Sequence, residues 1–193
     1  MTYFVMVRHG RTEWNAAGRI QGHTDIPLSE EGRRQVSRQR IPCHYKNARW
    51  VSSPLVRAVQ TAQLMGCSDP ELERALMEMN WGEWEGLTLS ELRERHRNAM
   101  RHNEDRGLDF RPTGGESPRD VQERVMEWMG KKVDASTPVV AVTHKGVIRA
   151  TLSKATGWDM IGPPPLALDW TCAHVFSMDE NEFLKLYMAN VPL

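Results

Sequence analysis

The feature that most limits this chain is the run from Tyr3 to Thr12, Tyr-Phe-Val-Met-Val-Arg-His-Gly-Arg-Thr. Residues 3–7 carry no charge and are aromatic, β-branched or flexible, which reads as a buried strand. The run then enters Arg8-His9-Gly10, so a guanidinium and an imidazole stand at the carboxyl end of a sheet. In open α/β sheets that edge is where ligands bind. The rest of the chain is read for what it returns there.

Residues 48–52 are predicted as a second short strand. Ser53-Pro54 follows as N-cap and first helical residue of a helix running to about Met65. Residues 138–143 form the most hydrophobic strand, with His144 at its end, and Lys145–Thr156 is a helix that Gly157 stops. Ser29 is a good N-cap for a helix to about Arg40, with Glu30 and Glu31 in its first turn. Thr88 and Glu91 fit a capping box before a helix with Leu89, Leu92 and His96 on one face. Residues 98–112 read as a second short helix and a loop. Ser117-Pro118 starts a helix whose Val121, Val125, Met126, Trp128 and Met129 suit a sheet-packed face. Residues 169–178 and 182–189 alternate, with Asp179-Glu180-Asn181 between them as a hairpin turn. The pattern predicts an α/β fold: a three-layer α/β/α sandwich, its sheet mixed and mostly parallel. A chain of 193 residues is ample for one domain and short for two, so residues 1–193 are read as one domain. Residues 78–116 are short and polar and read as an inserted lid.

Composition removes several function classes. Net charge is zero, so the usual basic footprint of nucleic-acid binding is missing and any anion site must be built locally. Cys43, Cys67 and Cys172 are an odd, widely spaced set without CxxC spacing. They point to buried thiols in a reducing compartment, with no cysteine-based zinc site. No stretch reaches 18 apolar residues and no charged leader is seen, which predicts a cytoplasmic protein that engages no membrane. The histidines outside the motifs lack metal-ligand spacing, so no metal and no cofactor is expected.

Three strand ends bring chemistry to one edge: Arg8 and His9 from the first, Arg57 a turn beyond the second, His144 from the third. Two guanidiniums and two imidazoles repel one another unless an anion lies among them. They match a tetrahedral dianion, because arginine offers forked donors to phosphate oxygens. Helix starts near Ser53 and Lys145 add backbone N–H groups. Phosphoryl transfer then needs a nucleophile, and His9 fits: one ring nitrogen attacks while the other donates to a fixed acceptor. Arg8, Arg57 and His144 would hold the equatorial oxygens, and Asn15 would add a neutral donor.

The string Arg8-His9-Gly10-x-Thr12-x-x-Asn15, then Gln21-Gly22-x-x-Asp25-x-Pro27-Leu28-Ser29-x-x-Gly32, resembles the histidine phosphatase superfamily, the phosphoglycerate-mutase-like fold. The segment Ser52-Ser-Pro-Leu-x-Arg57-Ala-x-Gln-Thr-Ala62 and His144 follow in family order, so the resemblance covers nearly the whole chain. In pattern it is closest to short bacterial phosphatases such as α-ribazole phosphatase. The resemblance implies the same roles for Arg8, His9, Asn15, Arg57 and His144. It also implies a general acid just before an aromatic-Gly turn, which selects Glu78 ahead of Trp81-Gly82, with Glu73, Glu83 and Glu85 as competing carboxylates. Gln21, Gly22 and Lys145 are candidate substrate contacts. Lys145 departs from the family, which has a small residue there. It is either an extra anion ligand or a first-turn residue facing solvent, the latter slightly favoured. The implied activity is metal-independent hydrolysis of small phosphomonoesters through a phosphohistidine on His9. The partner is then a small phosphorylated metabolite, and the protein a monomer or homodimer. The alternatives are a phosphoglycerate mutase and a non-catalytic phospho-ligand-binding protein. Cofactor-dependent mutases carry a larger basic insertion, whereas residues 86–112 here hold six arginines against five acids. A binding protein would lack a catalytic residue, and none of the central five is missing.

Overall fold

The computed structural model describes residues 1–133 and 137–193, the side chains of 96–102 and 104 excepted. Six strands are formed by Thr2–Arg8 (β1), Arg49–Ser52 (β2), Glu71–Leu72 (β3), Val139–Thr143 (β4), Ala173–Met178 (β5) and Leu184–Val191 (β6). They make one sheet in the spatial order β3-β2-β4-β1-β5-β6. The pairs β3–β2, β2–β4 and β4–β1 are parallel, while β1–β5 and β5–β6 are antiparallel. The sheet is therefore mixed and mostly parallel, as expected.

The helices are Glu13–Ala16 (α1), Glu30–Val36 (α2), Val56–Leu64 (α3), Leu89–Glu104 (α4), Pro118–Gly130 (α5) and Lys145–Thr156 (α6). Side chains alternate along β1 and β4, so each strand serves two cores. Phe4, Met6 and Ala141 pack with Val121 and Met129 of α5 and Ile148 of α6. On the opposite face Val5, Val7 and Val140 pack with Val36 of α2, and Val142 packs with Ala58 and Ala62 of α3. Full burial of a Val, Met or Phe side chain is worth roughly 1.5–3 kcal/mol. A one-residue slip would exchange the two cores, so the pattern fixes the register. These are the three layers.

Several elements depart from expectation. α3 starts at Val56, two residues late, because Ser53 is not its cap. The Val56 N–H is instead capped from a distant loop, by Asp25 Oδ1 at 2.8 Å. The Thr88–Glu91 capping box forms, with bonds of 2.7 and 3.2 Å. Residues 89–104 are then one helix, not two, since no Gly or Pro interrupts them. His96, expected on its apolar face, lies outside the described side chains. α2 ends early, at Val36, where the Ser37 hydroxyl bonds back to the Arg34 carbonyl. β5 starts at Ala173 because Asp169 folds the preceding residues into a turn, accepting the Thr171 N–H at 2.9 Å. The thiols are free but not buried: Cys43 is exposed, while Cys67 and Cys172 are half-buried, all outside the helix and strand interiors that make the core. Residues 78–116 close a small apolar cluster of Trp84 and Leu92 with Ile20, Trp81, Leu87 and Phe110. No described helix is long and apolar enough to cross a membrane.

Candidate active site

β2, β4 and β1 lie side by side, so their carboxyl ends open at one edge. His9 continues the β1–β4 ladder by donating its N–H to the Thr143 carbonyl at 2.9 Å. Its Nδ1 lies 2.7 Å from the Gly10 carbonyl, which can only accept. Nδ1 therefore carries the proton and Nε2 the lone pair. His144 is the N-cap residue of α6, and its ring centre lies 5.0 Å from that of His9. His144 Nε2 is 2.8 Å from Ser53 Oγ, while its Nδ1 is buried without a partner. Burial, aided by the charge on Arg57, pushes both imidazoles well below their ordinary range. Both rings are thus neutral at neutral pH.

Arg57, in the first turn of α3, is fully buried. It donates to the carbonyls of Thr24 (2.9 Å) and Gly22 (2.7 Å), and its Nε–H has no partner. Glu85 fixes that loop by accepting the N–H groups of His23 (2.7 Å) and Thr24 (2.8 Å). Gly22 has φ of +53°, and a Cβ there would strike the Glu85 carboxylate. Arg8 Nε is also buried and unpartnered, and its guanidinium sits 5.8 Å from the centre of the Trp170 ring. A cavity of about 290 Å³ is lined by Arg8, His9, Asn15 and Trp170. Asn15 spends its carboxamide oxygen on Thr12, accepting the N–H (3.1 Å) and hydroxyl (3.2 Å), which leaves the amide nitrogen to donate.

Glu78 accepts the N–H of Met79 (2.9 Å) and, with its second oxygen, that of Gly146 in the first turn of α6 (3.2 Å). Burial draws Arg8 and Arg57 below the ordinary arginine value, and Glu78 opposes that draw on both. Arg124 of α5 holds the loop from behind through the carbonyls of Ala75 and Met77 and the Glu116 carboxylate. His23 Nε2 reaches the Glu78 carbonyl at 2.8 Å. The competing carboxylates are placed otherwise. Glu73 caps the turn at residues 74–76, Glu83 is exposed, and Glu85 clamps the loop at residues 23–24.

Gln21 is buried with its carbonyl oxygen unpartnered, and Gly22 supplies a carbonyl to Arg57. Lys145 is exposed, yet its ammonium lies 5.4 Å from the Trp170 ring centre rather than turning away. Sequence reasoning missed Asp25, Glu85, Arg124 and Trp170. Asp25 and Glu85 lie within motifs already singled out, whereas Trp170 sat in a segment read as strand. Among the described residues, no three His, Cys, Asp or Glu side chains group so as to hold a metal ion.

Comparison with known proteins extends the likeness beyond these residues. The chain is 34% identical over 166 residues to metal-independent phosphoserine phosphatase of Arabidopsis thaliana, covering 81% of this chain and 69% of that protein. It is 33% identical over 164 residues to 2,3-bisphosphoglycerate-dependent phosphoglycerate mutase 2 of Gloeobacter violaceus, covering 79% and 74%. The solved structure of mycobacterial glucosyl-3-phosphoglycerate phosphatase in complex with VO3 superposes with a TM-score of 0.82 at 27% identity, covering 99% of this chain and 100% of the other. The family model of the histidine phosphatase superfamily (branch 1) matches residues 4–191, from the first core residue of β1 to the last residue of β6. The match thus takes in the scaffold as well as the edge it carries, and the chain belongs to the histidine phosphatase superfamily.

Proposed function

We propose that the protein is a phosphatase that hydrolyses small phosphomonoesters through a phosphohistidine on His9, without a metal ion. The observation that carries this is the fixed tautomer of His9. Its Nδ1–H is spent on Gly10, so the Nε2 lone pair is the free end of a neutral, buried imidazole. Nε2 bonds to phosphorus as the P–O ester bond breaks, and the departing oxygen takes a proton from Glu78. Glu78 then removes a proton from water, whose oxygen attacks phosphorus. His9 leaves with its lone pair restored, and inorganic phosphate is released. Arg8 Nε–H, Arg57 Nε–H and the Asn15 amide are donors left over by the protein's own bonds, so they are available to the phosphoryl oxygens. Ser53 Oγ accepts the Leu55 N–H, so its own proton can go to His144 Nε2 and leave Nδ1–H of His144 for the same task. A mutase among the relatives keeps isomerisation as the second reading.

The test is direct. His9→Ala should abolish turnover of an aryl phosphate while the fold persists. Brief exposure of the wild type to labelled substrate should leave protein-bound phosphate that is acid-labile and base-stable. Chelator should leave the rate unchanged. A His9→Ala enzyme with a tenth of wild-type activity, or activity lost in chelator and restored by Mg²⁺, would overturn the proposal. Phosphoglycerate isomerisation measured on the same enzyme separates mutase from hydrolase.

A further inference from the structure

Two loops meet beside Glu78. Gly22 and Thr24 accept from Arg57 through their carbonyls, at 2.7 and 2.9 Å. The residue between them, His23, reaches the other loop, its Nε2 lying 2.8 Å from the Glu78 carbonyl. A carbonyl can only accept, so Nε2 carries the ring proton. The Glu116 carboxylate, at 3.9 Å, is too far to take that proton. The His23 backbone is held in turn, its N–H donating to Glu85 Oε1 at 2.7 Å. No step of the hydrolysis proposed above uses this ring.

The contact matters because of the peptide it grips. The Glu78 carbonyl and the Met79 N–H belong to one planar unit. That N–H donates to Glu78 Oε1 at 2.9 Å, one of the two backbone bonds that aim the carboxylate, the other coming from Gly146 at 3.2 Å. Turning the plane would carry the N–H away from the carboxylate, and a donor fixed on the carbonyl resists that turn. Arg124 also reaches this carbonyl, but at 3.3 Å, with its shorter bonds spent on Ala75 and Met77. His23 is the closer donor. Residues 22–24 therefore hold both Arg57 and the peptide that aims Glu78. We propose that His23 is a positioning residue, which fixes the Glu78–Met79 peptide from the loop that holds Arg57 and so sets the acid against the transferring phosphoryl group. This rests on the phosphatase reading and on Glu78 as its acid.

The leaving group supplies the readout. 2-Phenylethyl phosphate needs the acid, whereas nitrophenyl phosphate leaves without it. In single-turnover kinetics His23→Ala should slow phosphorylation by the alkyl ester about tenfold, less than the roughly 10²-fold that a 1 Å misplacement costs. The aryl ester should suffer far less. His23→Gln, whose amide nitrogen can take the place of Nε2, should regain most of the loss. In Glu78→Gln no acid is left to aim, so adding His23→Ala should cost nothing more. Equal slowing of the two esters, equal losses in His23→Ala and His23→Gln, or losses that multiply in the double variant would overturn the role. A wild type that turns over neither ester would refute the phosphatase reading instead. The grip on the peptide is then read by hydrogen exchange at the Met79 amide. Faster exchange in His23→Ala, restored in His23→Gln, upholds it, and the same exchange rate in wild type and both variants overturns it.

Discussion

Protonation at single atoms carries the chemistry proposed here. The Gly10 carbonyl decides which His9 nitrogen is free, and burial beside two guanidiniums keeps that nitrogen unprotonated. The counterpart is Glu78, whose proposed part is to supply a proton when the leaving oxygen needs one. Alkyl phosphates leave as strongly basic alkoxides, whereas nitrophenolate leaves unaided. Glu78→Gln should therefore cost alkyl phosphate turnover about 10²–10⁴-fold and slow the phosphorylation step of nitrophenyl phosphate far less. Equal losses on both, read by single-turnover kinetics, would reassign the acid. Some of this is visible in the bare sequence. Arg8, His9 and His144 follow strands whose ends are fixed by hydrophobic pattern, and Arg57 sits one turn past another. Trp170 is different, because its place beside Arg8 depends on the path of a loop that no local pattern marks.

Element boundaries tell a similar story. α6 was readable from end to end because Gly157, at φ of +73°, is a stop signal that acts locally. The start of α3 was not, because its cap is Asp25, thirty-one residues earlier in the chain. The first turn of α6 yields its own prediction. A Cβ on Gly146 would lie 2.3 Å from Glu78 Oε1, so Gly146→Ala must push the carboxylate aside. Alanine is a better helix former than glycine by about 1 kcal/mol, so the variant should melt no lower than the wild type. Its turnover of alkyl phosphates should nonetheless drop about 10- to 100-fold, short of the roughly 10²–10⁴-fold loss of removing a positioned acid, with nitrophenyl phosphate less affected. Wild-type rates on both substrates would show that Glu78 does not depend on that glycine.

At the scale of the whole molecule, the buried histidines tie stability to pH. His9 and His144 are pushed well below the ordinary imidazole value of 6.5, chiefly by burial, and His174 is lowered too. Below that value the unfolded chain takes up protons that the folded protein refuses, so stability falls as pH drops through 6.5 and is fully present above it. Calorimetric Tm should decline between pH 7.5 and 5.5. Saturating vanadate should flatten the decline, because a bound anion favours the imidazolium form. A free enzyme with constant Tm across that range would contradict neutral rings. The strand order has a different consequence, one for synthesis. β1 pairs only with β4 and β5, and β4 begins at Val139. Of the six strands, the one that founds the active edge is therefore made first and is among the last to find a neighbour. Until then an apolar segment with both ladders open must be kept from other chains.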